Sequence, residues 1–185
     1  MSSLPPAGLA AGRIVLVGPM GCGKSTVGAA LAGVTGWPYL DNDSLLVAET
    51  GLSAREILTD RGADALHVQE SRILRMALAA PLPLVIGAAA SAVDSAADRE
   101  LLIASGHVVY LRAGLATLAE RVRAIAPGGR ADRPFLGDEP EVVLGEMLSR
   151  RAGDYEDVAW LVVDVDDQSP EQIADRILSQ WRGGS

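Results

Sequence analysis

The stretch VGPMGCGKSTVG, beginning at Val17, constrains the fold more than any other part of the chain. Gly18, Gly23, Lys24 and Ser25 satisfy the spacing GxxxxGK[ST], and Gly21 adds a further glycine inside it. The apolar run RIVLV precedes the motif, and Val27, Leu31 and Val34 recur at helical spacing after it, so the local order is strand, loop, helix. Glycines admit positive φ and let successive N–H groups converge on phosphate oxygens, while the helix N-terminus adds partial positive charge. A plain strand-to-helix turn would account for the glycines but not for a lysine and a hydroxyl at the required places. Lys24 is placed to reach the β and γ phosphates of ATP, and the Ser25 hydroxyl to ligate Mg²⁺. The backbone of Gly18, Gly21, Cys22, Gly23 and Thr26 completes the cradle. Cys22 sits among the variable loop positions, where the bland reading is a small, non-catalytic side chain that fits; a helix N-terminus can also lower a thiol pKa, and on that reading alkylating Cys22 is expected to block nucleotide binding.

Further apolar runs, PLVIG, HVVYL and WLVVDV, alternate with helical patterns and, with RIVLV and PYLD, make five expected strands. This predicts an α/β chain with a three-layer P-loop NTPase fold: a five-stranded parallel sheet, helices on both faces and a mobile lid. Ser53 with Glu56 predicts a capping box, and Ser169, Pro170 and Gln172 predict another helix start. The uncharged run from Met76 to Val93 contains Pro81 and Pro83, which fit a helix end, a turn and a buried strand better than a membrane span. The 185 residues suit one domain, 1–185. A net charge of −8 argues against a nucleic-acid partner. A single cysteine forms no internal disulfide, and MSSLPPAGLAAG lacks the basic start and apolar segment of a signal peptide. A cytoplasmic monomer acting on small molecules, away from membranes, is expected.

Among P-loop classes, no NKxD-like guanine signature is present and no second domain is available for a motor. LVVDVDD, near the C-terminus, reads as a solvated strand end at Asp164 and Asp166. YLDNDSLL places Asp41 and Asp43 two apart at a strand end, where α/β sheets open their ligand crevice. Asp41 is suited to support Mg²⁺ through water, and Asp43 to orient or deprotonate a hydroxyl; the alternative is an acidic turn with Asp43 as helix cap. APGGRADRPFLGDEP, about residues 126–140, reads as a long lid loop carrying Arg133.

In the order GPMGCGKSTVG, YLDNDSLLVAETG, GHVVYL, RPFL and DYEDVAWLVVDVDDQSP, the chain resembles the shikimate kinase family over nearly its whole length. The resemblance implies an ATP-dependent kinase that transfers the γ-phosphate to a hydroxyl of a small molecule. It assigns Lys24, Ser25 and Asp41 to ATP and Mg²⁺, Asp43 to the acceptor hydroxyl, Arg133 to lid closure on phosphate and Arg151 to a substrate carboxylate. It places Pro170 beside adenine, with Arg121 or Arg123 on the other face, and the acceptor region at about residues 43–75. For Arg133 and Arg151 the bland alternative is a surface arginine.

Two departures bear on the acceptor. Where the family has FRxxE this chain has LHVQE, so His67 replaces the arginine while Glu70 is kept. Where the family has three glycines, VIGAAASAV puts Ala89, Ala90 and Ser91 in an ungapped reading, with Ala88 before them. Added Cβ atoms take space and close off positive φ, and imidazole is a poorer carboxylate clamp than guanidinium. His67 is either a satisfied helix histidine or an acceptor-binding group; His107 is read as structural. Three acceptor readings follow: shikimate, another hydroxy acid or polyol such as gluconate, or none, in a catalytically degenerate nucleotide-binding regulator.

Overall fold

A computed structural model of the protein describes residues 12–124 and 140–183. Its strands are β1 (Arg13–Val17), β2 (Tyr39–Asp41), β3 (Leu84–Gly87), β4 (His107–Arg112) and β5 (Leu161–Asp164). Its helices are α1 (Lys24–Thr35), α2 (Asn42–Thr50), α3 (Ala54–Ala79), α4 (Ala96–Ser105), α5 (Leu115–Ala124), α6 (Pro140–Val158) and α7 (Pro170–Gly183). The five strands form one sheet in the order β2-β3-β1-β4-β5, and every paired neighbour is parallel.

Side-chain alternation along β1 shows why both faces must be covered. Ile14 and Leu16 enter a core with Val27 and Leu31 of α1 and Ile173, Ile177 and Trp181 of α7. Val15 and Val17 point the other way, into a core with Leu74 of α3, Leu102 of α4 and Tyr155 of α6. All four β1 side chains are fully buried, the pattern of a central parallel strand. A smaller cluster of Leu46, Ile57, Leu66 and Ile73 holds α2 against α3 beside the sheet. His107 packs edge-on against Trp160 and at a tilt on Trp181, so it serves the core.

Both expected helix starts are present. Ser53 and Glu56 cap α3 reciprocally, and the Ser169 N–H donates to Gln172 while the Gln172 N–H donates back to the Ser169 hydroxyl. α3 is broken at Gly62, whose φ of 83° and ψ of 174° are non-helical. The run from Met76 to Val93 resolves as the end of α3, a turn and β3, and no described helix is long and apolar enough to cross a membrane. Buried Asp98 of α4 accepts hydrogen bonds from Ser71 and Arg75 of α3, fixing the helix that carries His67 and Glu70. Of the lid expected at about 126–140, residues 126–139, Arg133 included, lie outside the described residues, and Pro140 is the first residue of α6.

Candidate active site

One cavity of about 750 Å³ runs along the carboxyl ends of the strands, with the glycine loop at one end and α3 and α6 at the other. Every nominated site residue among the described ones lines it except Gly18, which shapes the loop from below. Gly18 has φ 143°, and a Cβ there would come 2.8 Å from the Leu111 carbonyl oxygen. Gly23, at φ 103°, caps α1 without a side chain, leaving the first helical N–H groups open toward the cavity.

At the nucleotide end, Lys24 Nζ donates to the carbonyls of Gly18 at 2.7 Å and Pro19 at 3.1 Å. Cys22 lines the cavity, but its thiol lies in the core beneath the loop and the residue is 1% exposed. This corrects the expectation that alkylation would block nucleotide binding: a reagent cannot reach a side chain packed among Leu16, Val27 and Leu111. Of the two arginines considered for adenine, Arg121 lines the cavity with Pro170 and Gln168, held by the carbonyls of Val165 (2.8 Å) and Cys22 (3.4 Å). Arg123 is turned outward and pairs with Glu141.

The aspartate pair divides its work. Asp41, not Asp43, is the N-cap of α2, accepting from the Ser44 N–H at 3.3 Å. The strand ends at Asp41, so the helix begins two residues earlier than the capping alternative assumed. Asp41 Oδ1 also accepts from the hydroxyls of Ser25 (3.3 Å) and Tyr39 (3.0 Å). Ser25 and Asp41 therefore form the hydroxyl and carboxylate pair expected for a magnesium ion whose other ligands are phosphate oxygens and water. No cluster of three or more His, Cys, Asp or Glu that could hold a metal occurs among the described residues. Asp43 stands exposed in the first turn of α2, on the cavity wall.

Tyr39 was missed from sequence, although it lies two residues before Asp41 on one strand and so shares its face. Burial, then the charge of Asp41, pushes its phenol pKa well above the ordinary value, so it stays a neutral donor. Its ring fills a slot that only glycines leave: a Cβ on Gly28 would sit 2.3 Å from Tyr39 Cε2, and one on Gly87 would sit 2.3 Å from Tyr39 Oη. Gly87→Ala is expected to cost about 1–3 kcal/mol by overpacking and to displace the hydroxyl from Asp41. Urea midpoints and the Mg²⁺ concentration for half-maximal turnover check this; an unchanged Mg²⁺ requirement would refute the link.

At the acceptor end, His67 and Glu70, one turn apart on α3, line the cavity with Asp43, Ala54, Ala88 to Ser91, Met147 and Arg151. The alanines take no positive φ, so the turn after β3 is built in a conformation that side chains tolerate. The buried Tyr155 hydroxyl pins it by donating to the Ala90 carbonyl at 2.5 Å. Arg151 is not free: its Nε and Nη2 donate to the two carboxylate oxygens of Asp94 at 2.6 and 2.5 Å.

The Glu70 carboxyl accepts from the Ser91 hydroxyl at 2.5 Å. Burial raises its pKa, the Ser91 bond and Arg151 lower it, and Asp43 and Asp94 raise it, leaving it pushed up to about 7. The folded protein then holds a proton that the unfolded chain releases near 4.5, so this stability is present at acid pH and lost as pH rises from 4.5 through about 7. Relative to Glu70→Gln, the wild type is expected to lose up to about 3 kcal/mol across that window. Urea melts of both proteins at its two ends check it; parallel changes would refute it.

A parallel sheet of this order, a phosphate loop after its first strand and an aspartate pair after its second define a P-loop small-molecule kinase. The sequence profile of shikimate kinase matches residues 20–182. The shikimate kinase of Halorhodospira halophila is 35% identical over 172 residues, 92% of this chain and 94% of the relative. That of Streptomyces coelicolor is 36% identical over 170 residues, 92% of this chain and 95% of the relative. The structure of shikimate kinase from Acinetobacter baumannii in complex with shikimate superposes with a TM-score of 0.86 at 29% identity, covering 100% of this chain and 96% of the other. The chain belongs to the shikimate kinase family and is a shikimate kinase-like, ATP-dependent phosphotransferase acting on an alcohol group.

Proposed function

We propose that the protein uses Mg²⁺ and ATP to phosphorylate a hydroxyl of a small hydroxylated molecule bound between Asp43, His67, Glu70, Ala89, Ala90 and Arg151, working as a cytoplasmic monomer. The observation that carries this reading is the single cavity joining Lys24, Ser25 and Asp41 at one end to Asp43 and α3 at the other. Phosphoryl transfer is largely positioning and electrostatic stabilisation. The loop N–H groups and Lys24 would hold the phosphates, with Pro170 and Arg121 flanking the base. Bound at Ser25 and, through water, Asp41, Mg²⁺ would neutralise phosphate charge. Asp43 would orient the acceptor hydroxyl and take its proton, and Arg133 would complete the site from the lid.

Shikimate is the first acceptor to try, because the relatives carry that name and the Acinetobacter baumannii enzyme was crystallised with it. A different acceptor is favoured by one observation, the engagement of Arg151 with Asp94. The test is ATP consumption with Mg²⁺ against shikimate, quinate, gluconate, glycerate and neutral polyols, with Asp43→Asn as the blank. Acceptor-dependent consumption supports the reading; ATP binding without turnover of any compound would leave a regulatory nucleotide-binding protein.

A further inference from the structure

The charges around the acceptor end are arranged against a carboxylate. Of the cations lining the cavity among the described residues, Lys24 and Arg121 are tied to the glycine loop and its surroundings at the nucleotide end. The remaining one, Arg151, spends its bidentate edge on Asp94. A ligand carboxylate would have to displace Asp94 or accept only what is left of the guanidinium, forfeiting the paired geometry that makes arginine a strong carboxylate clamp. Facing the same space are Asp43 and Glu70, which among the described residues have no cation as a hydrogen-bond partner: Asp43 accepts weakly from Asn42 at 3.5 Å, and Glu70 accepts from Ser91. His67, one turn from Glu70, offers a ring nitrogen and no permanent charge.

We propose that the acceptor is a polyhydroxylated amine, held with its ammonium beside Glu70 and its reacting hydroxyl at Asp43, and not a hydroxy acid. The inference rests on the kinase reading above and names the chemical class of its acceptor. An ammonium donates to carboxylates and requires no clamp, and it adds positive charge to a wall whose one described cation, Arg151, is already paired with Asp94. Binding would draw the half-protonated Glu70 fully into its ionised form, since a nearby cation favours the carboxylate.

The test is calorimetric titration of the ADP-bound protein with three matched probes: shikimate, and its analogues in which hydroxymethyl or aminomethyl replaces the carboxylate. The amine is expected to bind tightest and shikimate weakest, about tenfold or more apart. Glu70→Gln should weaken the amine by about tenfold and leave shikimate no worse. Asp94→Ala should release Arg151 and tighten shikimate by about tenfold. Shikimate binding the wild type as tightly as the neutral analogue, an amine no tighter than the neutral analogue, an amine indifferent to Glu70→Gln, or no binding of any probe would each overturn the proposal. ATP consumption with the same probes separates the two claims. Turnover with shikimate preferred sinks the amine alone, whereas amine-selective binding with no transfer to any hydroxyl compound sinks the kinase reading.

Discussion

Asp43→Asn is expected to lower turnover by a factor of about a hundred to ten thousand while changing ADP affinity by less than about threefold. Asparagine keeps the shape of the side chain and can still orient a hydroxyl, but it cannot accept the proton that leaves as the phosphoryl group arrives. The fold should tolerate the change. Asp43 is exposed in the first turn of α2, and the cap of that helix is Asp41. Losing a first-turn charge costs about 0.3–1 kcal/mol. Turnover, ADP titration and a thermal melt on one preparation decide the matter. A variant that melts near the wild type, binds ADP and turns over at the wild-type rate would remove Asp43 from the chemistry.

The legible parts of this molecule were those set by near neighbours in sequence. Lys24 and Ser25 could be placed because the loop spacing dictates backbone geometry, and the caps at Ser53 and Ser169 because their partners lie within one turn. The alternation of apolar runs with helical patterns was enough for five parallel strands covered on both faces. His67 and Glu70 were legible as one helix face, though not as part of a wall whose one described cation is already paired, because that depends on what arrives from elsewhere. Asp94 lies 57 residues from Arg151, and nothing in either segment announces that they pair. The pairing changes the meaning of Arg151, which reads from sequence as a free carboxylate clamp. Tyr39 hid for a related reason: its hydroxyl matters only because Gly28 and Gly87, from two other elements, leave room for the ring. For Cys22 the alkylation expectation fails because the tight curl of the loop drives its side chain into the core, in keeping with the alternative of a small side chain that fits there.

Lys24→Met is expected to remove about tenfold to a hundredfold in ATP affinity and a further hundredfold to thousandfold, roughly, in turnover. Methionine retains much of the stem's bulk and loses the ammonium, which holds the loop by donating to the Gly18 and Pro19 carbonyls at 2.7 and 3.1 Å. The same group is within the cavity and is the one cation rooted in the loop itself, so it can exchange those carbonyls for phosphate oxygens. Lys24→Arg should not rescue it, because a planar guanidinium is too broad to sit where a compact ammonium meets two carbonyls of one tight turn. Titration with ATP and ADP, beside initial rates, gives both numbers. If Lys24→Met kept full ATP affinity, the backbone N–H groups and the α1 N-terminus alone would hold the nucleotide, and the lysine would act only on the transferring group. If Lys24→Arg restored turnover, net charge rather than the fit of an ammonium would be the requirement. Asp43→Asn, by contrast, should spare the nucleotide and stop the transfer, so the two variants together separate holding the phosphate from handing it on.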